Sequence, residues 1–170
     1  GQQIALVQHV AKGRNTKGFY GERKNTMQYA RDNAVSQTEN PQIATRVLEN
    51  GTKVNIYFGD ILVPATLNDS KAAKALIKML PYKVRVNRYS FDVCGVMGNA
   101  LPYDPKDEHN GWLNGDIDFA TDGNWFTILF DNEENSDSYG YQVNLGKVDS
   151  ELSVLKNLSG SYEVRIELAK

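Results

Sequence analysis

Val54-Asn55-Ile56-Tyr57-Phe58-Gly59-Asp60-Ile61-Leu62-Val63 reads as a hairpin. Val54, Ile56 and Phe58 alternate with Asn55 and Tyr57, the period of two expected of a strand with one buried face. Gly59-Asp60 then supplies a two-residue turn whose first position needs positive φ, which glycine adopts without steric cost. Downstream, Asn68-Asp69-Ser70 offers capping side chains to a helix whose apolar residues Ala73, Leu76, Ile77 and Leu80 fall on one face, and Pro81 ends it. Val84 and Val86 alternate with Lys83, Arg85 and Asn87 as a further strand, and three more strands are predicted at 116–120, 125–130 and 139–145. Asp149-Ser150 can cap a second short helix that buries Leu152, Leu155 and Leu158, and residues 162–168 close the chain as an alternating strand. Between them, residues 90–115 hold Gly95, Gly98, Pro102, Pro105 and Gly111 and are predicted as mostly ordered loop with room for a short strand or a turn of helix. Many strands, two short helices and no βαβ rhythm point to a mainly β protein, an antiparallel barrel with helical plugs.

The 170 residues, 41% hydrophobic and 24% charged, suffice for one domain core. A formal charge of -2 gives no reason to expect a nucleic-acid partner, and no apolar run is long enough to span a membrane as a helix, so the chain reads as soluble. Cys94, the single cysteine, can form no internal disulfide, which suits a reducing cytosol and a disulfide-free exported protein alike; a start at Gly1 without Met favours a removed leader. Charge divides unevenly. Residues 1–50 carry +3 and the remainder −5, and the first third is polar apart from Ile4-Ala5-Leu6-Val7. We therefore divide the chain into an N-terminal extension, 1–50, and a barrel domain, 51–170. Within the extension a short helix is predicted at 22–34 and a linker at Ser36-Gln37-Thr38-Glu39-Asn40-Pro41. The basic extension could dock on the acidic barrel of a second copy and give an arm-mediated homo-oligomer, an attraction that salt weakens.

The order of these elements carries a family resemblance. The Gly59-Asp60 hairpin, the helix ending Met79-Leu80-Pro81, the strand at 82–88, Asn114-Gly115-Asp116-Ile117, Gly123-Asn124-Trp125-Phe126-Thr127-Ile128-Leu129-Phe130, Leu145-Gly146-Lys147-Val148 and Val164-Arg165-Ile166-Glu167 resemble the small prokaryotic cyclophilin-like domains over residues 53–170. The resemblance implies a closed cyclophilin-like β-barrel with two short helices and no settled biochemical function. True cyclophilins are peptidyl-prolyl isomerases that use an arginine and a Phe-x-Met-x-Gln segment. That motif is missing, so no catalytic residue transfers.

The candidate site is aromatic. Arg88, Tyr89, Phe91, Met97, Tyr103, Trp112 and Trp125, with Tyr139 and Tyr141 from a neighbouring strand, either line a groove for a peptide, small molecule or partner protein, or cover the barrel ends. Rings supply contact area at little entropic cost, and a guanidinium orients a carbonyl or carboxylate. The alternative reading, an atypical prolyl isomerase, needs Arg88 or Arg85 to donate a hydrogen bond to the prolyl nitrogen and so weaken amide resonance.

Other chemistry finds no template. A calcium loop starting at Asp131 needs Gly at 136 and Glu at 142, where Ser136 and Gln142 stand. Gly140 to Gly146 with Lys147 fails phosphate-loop spacing, and no dinucleotide fingerprint occurs, so no cofactor is expected. His9 and His109 form no metal pair and read as surface histidines; Lys106-Asp107-Glu108-His109-Asn110 reads as wet loop. Cys94 reads as a small buried hydrophobe, and nothing orders a nucleophile around Ser90.

Overall fold

In the computed structural model, which describes residues 36–37, 46–48 and 50–170, a small antiparallel pair, β1 (Ser36–Gln37) and β2 (Arg46–Val47), precedes the barrel. Ser36-Gln37 is thus a strand where the sequence suggested a linker. The predicted helix at 22–34, the apolar run at 4–7, His9 and most of the docking arm lie outside the described residues.

The hairpin comprises β3 (Thr52–Phe58) and β4 (Ile61–Leu67), in register from Phe58 opposite Ile61 to Thr52 opposite Leu67. Gly59 has φ +61°, the conformation for which the turn selects glycine. Helix α1 (Lys71–Lys78) starts where Ser70 Oγ accepts the Ala73 N–H at 3.2 Å, and it buries Ala72, Ala73 and Leu76 against the barrel interior. There follow β5 (Tyr82–Arg88), β6 (Asp92–Val96), β7 (Glu108–Asn110), β8 (Asp116–Ala120), β9 (Trp125–Leu129), β10 (Gly140–Val148), α2 (Leu152–Lys156) and β11 (Ser161–Leu168).

The sheet order β4-β3-β11-β5-β6-β9-β8-β10 returns to β4, so eight antiparallel strands form a closed barrel; β7 is an outer strand on β10. Closure takes three residue pairs: Gly146 with Leu67, Lys147 with Thr66 and Val148 with Ala65. The β10 edge is shared, because β7 pairs further along it, at residues 140–143. Inward residues such as Ile56, Phe58, Val84, Val93, Phe119 and Ile128 fill one core, and Leu152 and Leu155 of α2 join it. Among the described residues no helix is long and apolar enough to cross a membrane.

Residues 90–115 are mostly ordered loop, within which β6 is a wall of the barrel, paired to β9 along its whole length, β7 pairs with β10, and Pro105–Asp107 makes one helical turn. Three local expectations need correction. Asp149-Ser150 does not cap α2, whose N-cap is Glu151. Instead Asp149 sits at the closing seam, where Thr66 Oγ1 donates to it at 2.6 Å and Lys147 and Lys53 pair with it; these partners outweigh burial and hold its carboxyl below the usual range. His109 is no surface histidine, and Glu108 is no wet-loop acid. Both are buried, because β7 lies against β10 and Thr121 Oγ1 donates to the Glu108 carboxylate.

Two glycines permit close approach. A Cβ on Gly95 would lie 1.7 Å from the Arg85 carbonyl oxygen, and one on Gly146 would lie 2.1 Å from that of Thr66. Neither backbone can yield without moving a barrel strand. Gly95→Ala and Gly146→Ala are each expected to cost about 3 kcal/mol or more in urea unfolding. Gly98→Ala, with nothing within 4 Å, is expected to stay within about 0.5 kcal/mol of the parent.

Candidate functional site

Strand alternation sends Val93, Phe126, Ile128, Ile117 and Phe119 inward, so their neighbours Cys94, Trp125, Thr127, Leu129, Asp118 and Ala120 stand on the outer face of β6, β9 and β8. That face should be wet, and most of it is not. Cys94, Ala120, Leu129 and Trp112 form a second buried cluster, with Tyr89, Phe91, Trp125 and Tyr139 packed against it.

The cover is fastened by Trp112. Its indole Nε1 donates to the Asp131 carbonyl at 2.7 Å, its backbone N–H donates to Ser136 Oγ at 3.0 Å, and its ring stacks on Tyr139 with centroids 5.7 Å apart. The Asn114 N–H donates to Glu133 Oε1 at 2.8 Å, and the Leu113 N–H to Asp116 Oδ2 at 3.0 Å. Residues 111–114 are thereby laid over the strands. Across the remaining part, Trp125, Tyr89, Phe91 and Tyr139 stay half-buried, and Val96, directly opposite Trp125, is 56% exposed.

Five of the nine proposed site residues therefore share one surface: Tyr89, Phe91, Trp112, Trp125 and Tyr139. The other four are elsewhere. Met97 and Tyr103 belong to the interior core, and Tyr141 is buried on β10. Arg88 is a clamp: Nη1 donates to the Tyr89 carbonyl at 2.6 Å, Nη2 to the Lys156 carbonyl at 2.8 Å, and the guanidinium lies 4.7 Å from the Phe130 ring centroid. It ties the β5–β6 turn to the C-terminal end of α2, where a cation also suits the helix dipole. Both terminal nitrogens are spent on the protein itself. Arg85, the other candidate donor, is exposed on the outer wall directly opposite Glu163.

This eight-stranded barrel matches the model of the cyclophilin-like family over residues 56–167. The chain belongs to that family. A solution structure of a hypothetical protein from Archaeoglobus fulgidus shares the cyclophilin-like chain's fold, with a TM-score of 0.57 and 18% sequence identity over 71% of this chain and 96% of that one. Among curated proteins none matches.

The sequence reading missed the polar layer beneath the cyclophilin-like barrel's aromatic cover. Asp92, Asp116, Asp118, Thr127, Gln142 and Asn144 all project outward and are all buried. Asn144 Nδ2 donates to Asp118 Oδ1 and to the Gly146 carbonyl, both at 2.9 Å. Thr127 Oγ1 donates to Asp92 Oδ2 at 3.0 Å, while Asp92 Oδ1 has no hydrogen-bond partner. Burial pushes the Asp92 carboxyl up to about 7, against the pull of hydrogen bonds from Thr127 and Cys94 and the charge of Arg88. No cluster of metal ligands occurs among the described residues.

Because Asp92 takes up its proton more readily in the folded chain than in the unfolded one, its contribution to stability is full below about pH 4 and fades as pH rises to 7. Urea unfolding is expected to show up to about 4 kcal/mol lost from this group across that window. Asp92→Asn should flatten that part of the profile. Unfolding free energies measured at pH 4, 5.5, 7 and 8 for both proteins check it.

Proposed function

We propose that this cyclophilin-like domain is a non-catalytic binding module that takes a peptide segment on the aromatic face of β6, β9 and β8. One observation carries the reading: a face otherwise sealed is left partly open at Trp125, which stands beside the exposed Val96, with Tyr89, Phe91 and Tyr139 half-buried around the same cluster. Half-buried rings anchored from below keep apolar area in water that a ligand can cover, and they lose little side-chain entropy when it does. Leu129, Ala120 and Cys94 pack beneath them, so the surface is preformed. The isomerase reading through Arg88 or Arg85 needs a guanidinium that reaches the prolyl nitrogen, and Arg88 already donates through both terminal nitrogens to backbone carbonyls while Arg85 stands on the outer wall opposite Glu163.

Isotope-labelled protein titrated with a library of proline-containing and proline-free peptides tests this. Shifts are expected to cluster at Trp125, Tyr89, Phe91 and Tyr139, without exchange cross-peaks between the cis and trans forms of the peptides. Trp125→Ala is expected to weaken binding by roughly tenfold or more. Shifts confined to other faces overturn the assignment of the surface, and protein-dependent cis/trans exchange overturns the non-catalytic reading.

A further inference from the structure

The half of the barrel that carries the aromatic face is electrically one-sided. Residues 89–139 contain eleven Asp and Glu and one Lys or Arg, Lys106, which lies 3.8 Å from Asp104; Arg88, just before this stretch, is held on the Tyr89 and Lys156 carbonyls. Six of the acids, Asp104, Asp107, Asp122, Asp131, Glu133 and Glu134, are half or fully exposed. Asp122 lies in the turn that leads into Trp125, and Asp131 holds the Trp112 indole through its backbone carbonyl, so acidic residues flank the aromatic segments on both sides. Asp107 registers the crowding: burial first, then the charge of Asp104, raises its pKa.

A second observation concerns the layer under the rings. Asp92 stands directly opposite Leu129, and Gln142 directly opposite Ala120, both on the outward side of the strands. Each is at most 1% exposed, yet Asp92 Oδ1 and Gln142 Oε1 have no hydrogen-bond donor. Both are acceptors. Lone pairs that no donor neutralises add to the negative potential above them, and a low-dielectric layer screens that potential poorly. Aromatic faces, flanking carboxylates and unsatisfied acceptors all favour the same visitor, a cation that carries N–H donors.

We infer that the occupant of the aromatic face is cationic: an extended segment of a partner protein that bears Lys or Arg, whose ammonium or guanidinium groups lie over Trp125 and Tyr139 and beside the flanking carboxylates. This rests on the binding reading above and specifies its ligand. The attraction is electrostatic at the rim and cation–π at the centre, so salt reduces the first and leaves most of the second.

Three synthetic peptides of equal length test it against the full chain: a Gly-Arg-Gly-Lys repeat, its Gly-Gln-Gly-Ser counterpart and a Gly-Glu-Gly-Asp repeat. The readout is the Trp125 indole N–H resonance at low and high salt. Only the basic peptide is expected to move it, with affinity falling roughly tenfold at high salt. Trp125→Ala should remove most of the binding, and the pair Asp122→Asn and Glu134→Gln should weaken it several-fold with an unchanged unfolding midpoint. Equal binding of the neutral peptide overturns the charge inference and leaves the binding module standing, and silence with all three peptides and with the library above removes both. Basic-peptide binding undiminished in Trp125→Ala means attraction to bulk charge and overturns the site. A Trp125 resonance that moves with salt and protein concentration before any peptide is added overturns the separate partner and makes the chain's own basic residues 1–50 the occupant.

Discussion

Three residue pairs between β4 and β10 turn an open sheet into a barrel, and the rest of the molecule depends on them. Gly146 makes the approach possible, because any side chain there would strike the Thr66 carbonyl. The seam is then locked from both sides. Thr66 donates to Asp149, which Lys147 and Lys53 also hold, and the Asn68 backbone N–H donates to the Leu145 carbonyl at 2.8 Å. Asn68 Nδ2 reaches the Asn144 carbonyl at 2.9 Å, which ties the exit of β4 to the bulge in β10. Without that seam two long strand edges would stand open, a state that β proteins avoid.

Closure also explains where a site can form. A closed wall has an inner and an outer face, and here β6, β9 and β8 are buried on both except where Val96 and Trp125 meet solvent. The inner face is filled by aliphatic and aromatic side chains, whereas the outer face mixes Cys94, Ala120 and Leu129 with Asp92, Asp116, Asp118, Thr127 and Asn144. Burying that polar layer costs free energy unless each group is bonded, and the bonds of Asn144, Thr127 and the Leu113 N–H offset much of it. The cover that seals the layer ends near Trp125. The surface beside the seal is where rings meet solvent.

Much of the barrel was legible because its strands obey simple alternation. Val54, Ile56 and Phe58 mark the first hairpin, and the bounds predicted for 116–120 coincide with those of β8. The helix cap at Ser70 was readable from Asn68-Asp69-Ser70 alone. Three things were not. β6 hides in Asp92-Val93-Cys94-Gly95-Val96, where a glycine chosen for close approach looks like a loop residue. Asp116-Ile117-Asp118 carries the pattern of a wet outer face, yet both acids are buried, with residues 111–114 and 133–138 bonded together as a cover. Arg88 looks like a ligand's cation because sequence cannot show that the Lys156 carbonyl lies within its reach, 68 residues further along the chain. Of the aromatic residues, the five that the structure brings together were all named, but nothing in their spacing separated them from Met97, Tyr103 and Tyr141.

Cys94 is the sole thiol of the chain, unlinked and sealed between the β6–β9 pairing and the aromatic cover. Sulfur chemistry in this molecule is therefore gated by geometry instead of by reactivity. An alkylating reagent must wait for the cover to lift, and when lifting is fast and rare the rate of labelling gives the free energy of that opening, separate from the unfolding of the barrel. The protein carries, in one atom, a clock for the breathing of its outer layer.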